Sequence, residues 1–199
     1  MNSAGRIGLI SDTHMPPWDA QVKSDVERIF ADVDLILHAG DIVTLSVLDW
    51  LETIAPVLAV IGNNDTHLPP DPRLKHFQQL EYGGVTIGAV HVYEPWGTSP
   101  DEFMKDRFAL DRPPDVLVVG DTHFEVIEER NGVLMINPGS PTTPHLRVDL
   151  PGTVAILTIV DKTPTARIVP LTAGRNPPGR APGMPPLRCE APERGRAPE

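Results

Sequence analysis

IGLISDTH, residues 7–14, is a short apolar run that stops abruptly at a carboxylate and an imidazole, and its reading decides the fold. IGLIS (7–11) has the length and β-branched content of a buried strand. The same figure returns twice. DLILHAGD (34–41) is a buried strand ending on Asp41, and APVLAVIGN (55–63) is one that runs into Asn64 and Asp65. Between them lie VKSDVERIFADV (22–33) and TLSVLDWLETI (44–54), both with helical apolar spacing. Strands separated by single helices require βαβ crossovers, and hence a parallel sheet.

Outward from this core the pattern becomes more antiparallel. FQQLEYGGVTIGAVHV (77–92) reads as a hairpin broken at Gly83-Gly84. A short helix is expected near 100–110, ahead of the strand DVLVVGD (115–121). FEVIEERNGVLMINPGS (124–140) turns at Asn131-Gly132, a dipeptide suited to two positive φ angles. TVAILTIVD (153–161) and TARIVPL (165–171) make a last hairpin. The class is α/β, with mixed sheets and helices outside. Residues 1–170 form one domain, and 171–199, rich in Pro, Gly and Arg, are expected to be a disordered tail.

Composition narrows the function. At 199 residues the chain suits one domain, and its formal charge of −10 disfavours binding a nucleic-acid polymer. An anionic substrate then needs a local positive centre, which bound metal supplies. Cys189 is the only cysteine, so disulfides and thiolate zinc sites are excluded. The opening MNSAGRIGLISD meets an Asp before any signal-type core accumulates, and no run approaches the roughly 18 apolar residues of a membrane span. A soluble cytoplasmic protein without membrane contact is the expectation.

Polar residues cluster at strand ends. Asp12-Thr13-His14, Asp41, Asn64-Asp65 and Asp121-Thr122-His123 each follow an apolar run, and open α/β sheets place their sites at such ends. In extended backbone residues i and i+2 project together, so Asp12 with His14, and Asp121 with His123, are expected to reach a common point. Carboxylate, imidazole and amide without sulfur suit Mn, Fe or Zn. Taken singly, each motif reads as a cap, a turn or a surface histidine. The ordered set carries the inference.

SDTH (11–14), HAGD (38–41), GNND (62–65), His91 after a strand, GDTH (120–123) and NPGS (137–140) resemble, in that order, the motifs of the calcineurin-like metallophosphoesterases, notably their small single-domain bacterial and archaeal branch. The resemblance implies a four-layer α/β/β/α sandwich of two mixed sheets. It implies two divalent ions, the first held by Asp12, His14 and His123, with Asp41 bridging to a second held by Asn63, His91 and Asp121. It also implies hydrolysis of a phosphodiester or phosphomonoester of a small metabolite or nucleotide. A hydroxide bridging the ions would attack in line, with Asp41 and Asn63 as the residues nearest the chemistry.

This chain departs from the family at three places. Asp121 stands where the family has His, adding negative charge and favouring Mn or Fe over Zn. Asn64 replaces a histidine that assists the leaving group in many relatives, which leaves His67 as a nearby substitute. VYEPWG follows His91 in place of Gly-His, and no ligand role is assigned to Glu94. Trp18 and Trp96 flank ligand positions, where stacking on a base competes with plain loop packing. His38 reads as a hydrogen-bonded strand-end residue or a support to the ligands, Asp65 as a support, and His76 and His145 as surface residues. The alternative to an enzyme is a metallophosphoesterase-like scaffold acting through protein contacts, as the small subunit of retromer does. A homo-oligomer is compatible with either reading.

Overall fold

The computed structural model describes residues 5–14, 20–93, 99, 102–105, 112–147 and 149–174. Two sheets stack face to face. The first has the order β11-β10-β1-β2-β3-β4, built from β1 (Gly5–Ile10), β2 (Leu35–His38), β3 (Val57–Val60), β4 (Leu74–Lys75), β10 (Pro151–Val160) and β11 (Thr163–Gly174). The second has the order β5-β6-β7-β9-β8, from β5 (Gln78–Tyr82), β6 (Val85–Ala89), β7 (Val116–Val118), β8 (Val126–Arg130) and β9 (Val133–Asn137). β1 to β4 pair in parallel, as do β6, β7 and β9, while β5, β8, β10 and β11 are antiparallel additions. Helices α1 (Ala20–Ile29) and α2 (Ser46–Glu52) make the expected βαβ crossovers.

Alternation along each strand sorts the layers. Ile7 and Leu9 of β1 enter the core between the sheets, with Leu37, Val60, Ile87, Val118 and Ile136. Ile10, Ile36 and Val57 point to the other face, under Phe30, Leu48, Trp50 and Leu51. Gly8 lies on that face because a Cβ there would stand 3.0 Å from the Phe30 ring. The second sheet has its own outer cluster, where Val90, Leu117, Val119 and Met135 pack with Met104 from the helical residues 102–105. Central strands are thus covered on both sides, which is why they read as continuous apolar runs. The four layers are helix, sheet, sheet, helix.

Two-residue turns close the hairpins. Gly83-Gly84, Asn131-Gly132 and Asp161-Lys162 all have positive φ at both positions, the geometry that matches strand twist. The last strand extends past its expected end at Leu171, and past the boundary drawn at residue 170. Leu171 is buried, and Asp25 of α1 accepts hydrogen bonds from the Thr172 N–H (2.8 Å) and hydroxyl. Those contacts hold Asp25 below the ordinary carboxylate range although burial alone would raise it. A polar anchor of this kind leaves no periodic signal. The expected tail beyond residue 174 lies outside the described residues. No helix among the described residues is long and apolar enough to cross a membrane.

Candidate metal centre

The ligand-type residues sit just past the C-terminal ends of β1, β2, β3, β6 and β7, where the parallel strands of both sheets converge. Their convergence has a different cause from the one expected. Asp12, His14, Asp41, Asp121 and His123 are not extended; all have φ between +40° and +68°. Each strand stops short, and the chain turns left-handed so that its side chains face the junction. Asp and His tolerate this region better than most residues, yet each such position still costs roughly 1 kcal/mol. Glycines provide the clearance. A Cβ on Gly62 would meet Asp41 Oδ1 at 2.1 Å, and one on Gly40 would meet His91 Nδ1 at 2.5 Å.

Backbone bonds stitch these turns together. The Asp12 N–H donates to Gly40 O (2.9 Å), His14 N–H to Asp41 O (3.1 Å) and Gly120 N–H to His91 O (2.9 Å). Asp65 is the main brace. Its Oδ1 accepts the N–H groups of Ile42 (2.8 Å) and Val43 (2.7 Å), and its Oδ2 that of Gly62 (2.8 Å), from a buried position. Val43 is β-branched at φ 68°, so these bonds hold a strained turn in place. Asp65→Asn puts an amide NH₂ against one set of donors. It is expected to lose about 1–3 kcal/mol in thermal unfolding and to weaken metal binding roughly 10–100-fold in titration.

NPGS forms a second brace. Asn137 donates to Gly120 O (2.8 Å), Ser140 Oγ to Asp12 O (2.7 Å), and Thr142 Oγ1 to Thr13 O (3.0 Å). His38 matches its strand-end reading. Nδ1 accepts the Gly40 N–H (3.1 Å), so Nε2 carries the proton facing Thr13 Oγ1 (3.2 Å). Burial pushes its pKa down to about 3, which keeps it neutral.

The ligand atoms form two adjoining groups. Asp12, His14 and His123 make one and Asp12, Asp41 and His91 the other, with ligand atoms inside 4.8 Å in each. His123 Nδ1 donates to Thr143 O (2.8 Å) and His91 Nδ1 to Ala39 O (2.7 Å), so each presents Nε2 to the centre. Asp41 links the groups, with Oδ2 3.3 Å from His14 Nε2 and Oδ1 3.3 Å from His91 Nε2. Asn63 Oδ1 is 2.8 Å from His91 Nε2. Asp121 stands further out. Its side chain is 41% exposed, and Oδ1 is 3.8 Å from His91 Nε2; its backbone N–H donates to Asp12 Oδ1 (3.2 Å).

Several observations fit a divalent cation here. Asp12 is wholly buried, and its Oδ2 has no hydrogen-bond partner among the described residues. Burial raises its pKa to about 6 despite the nearby histidines. His14 and His123 bring Nε2 atoms within 3.1 Å of each other, an unfavourable meeting of lone pairs unless a cation or proton lies near. Burial, with His123 and His91 nearby, lowers the His14 pKa against the pull of Asp41. Burial would also lower His91, but its bonds to Asp41 and Ala39 raise it to about 9. Asp41 is the reverse case: burial would raise it, and hydrogen bonds from His91 and Asn64 hold it well below the usual range. Oxygen and imidazole nitrogen without sulfur form the donor set, as expected from sequence.

The remaining candidates divide. Asn64 donates to both Asp41 oxygens, from N–H (2.9 Å) and Nδ2 (2.6 Å). His67 Nε2 engages Val43 O at 3.0 Å. His145 is more than a surface residue: its N–H bonds His123 O (3.0 Å), its ring stacks on Phe124, and Nε2 pairs with Glu125 at 2.7 Å. Trp50 is core, with Nε1 bound to Glu27. Trp18, Glu94 and Trp96 lie outside the described residues. A cavity of about 530 Å³ adjoins the centre at Asn63 and His91. Another, of about 620 Å³, lies at the opposite end of β1 beside Asp34 and Tyr82, where none of the ligand groups stands.

Residues 6–162 match the calcineurin-like phosphoesterase superfamily domain. A probable metallophosphoesterase of Methanothermobacter thermautotrophicus is 40% identical over 143 residues, 70% of this chain and 79% of that protein. A solved archaeal phosphodiesterase superposes with a TM-score of 0.62 at 25% identity, covering 82% of this chain and 99% of that one. Vacuolar protein sorting 29 of Cryptosporidium parvum has the same fold, at TM-score 0.64 and 23% identity over 84% and 97% of the two chains.

Proposed function

The chain belongs to the calcineurin-like phosphoesterase superfamily, a family of metal-dependent phosphoric ester hydrolases, and on that premise we propose that it is a two-metal phosphodiesterase of small phosphorylated metabolites or nucleotides. The carrying observation is the pair of adjoining ligand groups that share Asp12, with Asp41 between them and one Asp12 oxygen unpartnered. In this reading Asp12, His14 and His123 hold one ion. His91 and Asn63 hold the other, with Asp41 common to both and Asp121 at its rim. Divalent ions bound there supply Lewis-acid charge for the phosphoryl oxygens and a water acidic enough to ionise near neutral pH. Three aspartates favour Mn²⁺ or Fe²⁺ over Zn²⁺.

The protein's own groups set the specificity of the chemistry. Asn64 spends its N–H and Nδ2 on Asp41, and His67 is tied to Val43 O. Neither is a free acid for the leaving oxygen. Esters whose leaving group needs no proton, such as aryl esters, are therefore expected to react roughly 10²–10⁴-fold faster than alkyl ones. The test is hydrolysis of bis-p-nitrophenyl phosphate by metal-stripped protein with Mn²⁺, Fe²⁺, Zn²⁺, Mg²⁺ or nothing restored. Turnover with Mn²⁺ or Fe²⁺ alone supports the reading. Well-folded protein inactive with every metal would transfer support to a scaffold working through protein contacts.

A further inference from the structure

The cavity of about 530 Å³ is lined by Asn63 and His91, so it adjoins the position where a phosphoryl group would be held at the centre. Its walls are chemically distinctive. Ile61, Val90 and Val92 supply the apolar surface, with Val92 38% exposed at the rim. Thr66 and His76 supply the polar part, and among the described residues neither side chain makes a hydrogen bond or ion pair. Among the described residues, no Lys, Arg, Asp or Glu lines the cavity. Beyond His91, which faces the ligand groups, the described lining residues offer no permanent cation to a second phosphate, and the chain's charge of −10 further disfavours one. The cavity is an open groove, with Asn63, Thr66, His76 and Val92 exposed, and its volume is enough to seat an aromatic or nucleoside-sized group.

Resting on the hydrolase reading above, we infer that this cavity is the ester-arm subsite, and that it selects phosphate esters carrying an uncharged planar group, an aryl ring or a nucleobase. The aliphatic walls cover the faces of such a ring, while Thr66 and the His76 imidazole hydrogen-bond its edge. His76, read from sequence as a surface residue, is then a specificity-determining residue. Its signal is missing from the sequence because it belongs to no strand-end motif; the short β4 places it.

The test compares binding and turnover. Affinities of thymidine 5′-monophosphate, phenyl phosphate and ribose 5-phosphate are measured by calorimetry, on the protein as purified and after Mn²⁺ addition. The thymidine or phenyl compound is expected to bind about tenfold or more tightly than ribose 5-phosphate, a difference of roughly 1.4 kcal/mol. Thymidine above phenyl identifies a base-reading site; phenyl equal to thymidine identifies a general aryl site. Val92→Asp and His76→Ala are expected to bring the ratio to ribose 5-phosphate towards one. Val160→Asp, the same added charge at the far end of the sheet, leaves it unchanged. Equal affinities for all three, or a ratio untouched by both pocket variants, overturns the subsite. Turnover is followed in parallel with thymidine 5′-p-nitrophenyl phosphate and methyl p-nitrophenyl phosphate. Hydrolysis without preference removes the subsite alone, whereas preferential binding without any hydrolysis removes the hydrolase reading and leaves the subsite standing.

Discussion

Asp41→Asn is expected to lower kcat/KM for bis-p-nitrophenyl phosphate by about 10³-fold or more while shifting the melting temperature of the metal-free protein by only a few degrees. Asp41 is the carboxylate that reaches both ligand groups, at 3.3 Å from a histidine nitrogen on each side. Asparagine keeps the shape and tolerates φ 58°, which alanine does less well. What is lost is one oxygen and a full negative charge, both placed where two cations would meet. Asn64 holds both oxygens, so replacing one by NH₂ also sets two donors against each other. Metal content by atomic emission should fall with activity. Asp121→Asn is the contrast: its carboxylate is part exposed and further from His91, so a loss nearer tenfold is expected. An Asp41→Asn enzyme within tenfold of wild type would remove Asp41 from the centre.

How much of this was legible before the structure differs by residue. The strand and helix order of β1 to β3 was plain, because strands covered on both faces must be apolar throughout. Turns at Gly83-Gly84 and Asn131-Gly132 were legible too, since positive φ restricts residue choice. The convergence of these residues at strand ends was expected for a partly mistaken reason. Extended i, i+2 geometry was expected to aim Asp12 and His14 together, whereas left-handed turns do so. Both geometries place the residues at strand ends, so the pattern survived the error. Ties across long stretches of chain were not legible. Asp25 to Thr172, Ser140 to Asp12 and His145 to His123 join residues with no shared periodicity. His76 is exposed as its surface reading expected, and its place beside the cavity was not legible because β4 is two residues long and carries no alternation.

Chelation is expected to lower the melting temperature by roughly 5–10 °C at pH 8, and Asp12 is the reason. Without a cation this carboxylate is fully buried with one oxygen unpaired. Burial lifts its pKa from 3.8 to about 6, so keeping it ionised at pH 8 costs about 3 kcal/mol relative to the unfolded chain. Because the folded value is the higher one, the cost is full above about pH 6 and fades as pH falls from there towards 4. Asp12→Asn removes the charge. In chelator at pH 8 the variant should therefore melt above wild type, with the gap closing towards pH 5. His38 stays neutral over this range in both proteins, whereas the Asp12 charge helps raise the His91 pKa, so part of the difference is a His91 proton held less tightly in the variant. Added Mn²⁺ should reverse the order, raising wild type and leaving the variant nearly unmoved. A buried carboxylate that destabilises the empty protein makes sense only as half of an ion pair completed from outside. If Asp12→Asn melts below wild type in chelator at pH 8, Asp12 is instead paid for within the fold, and the case for a cation at this position loses its main support.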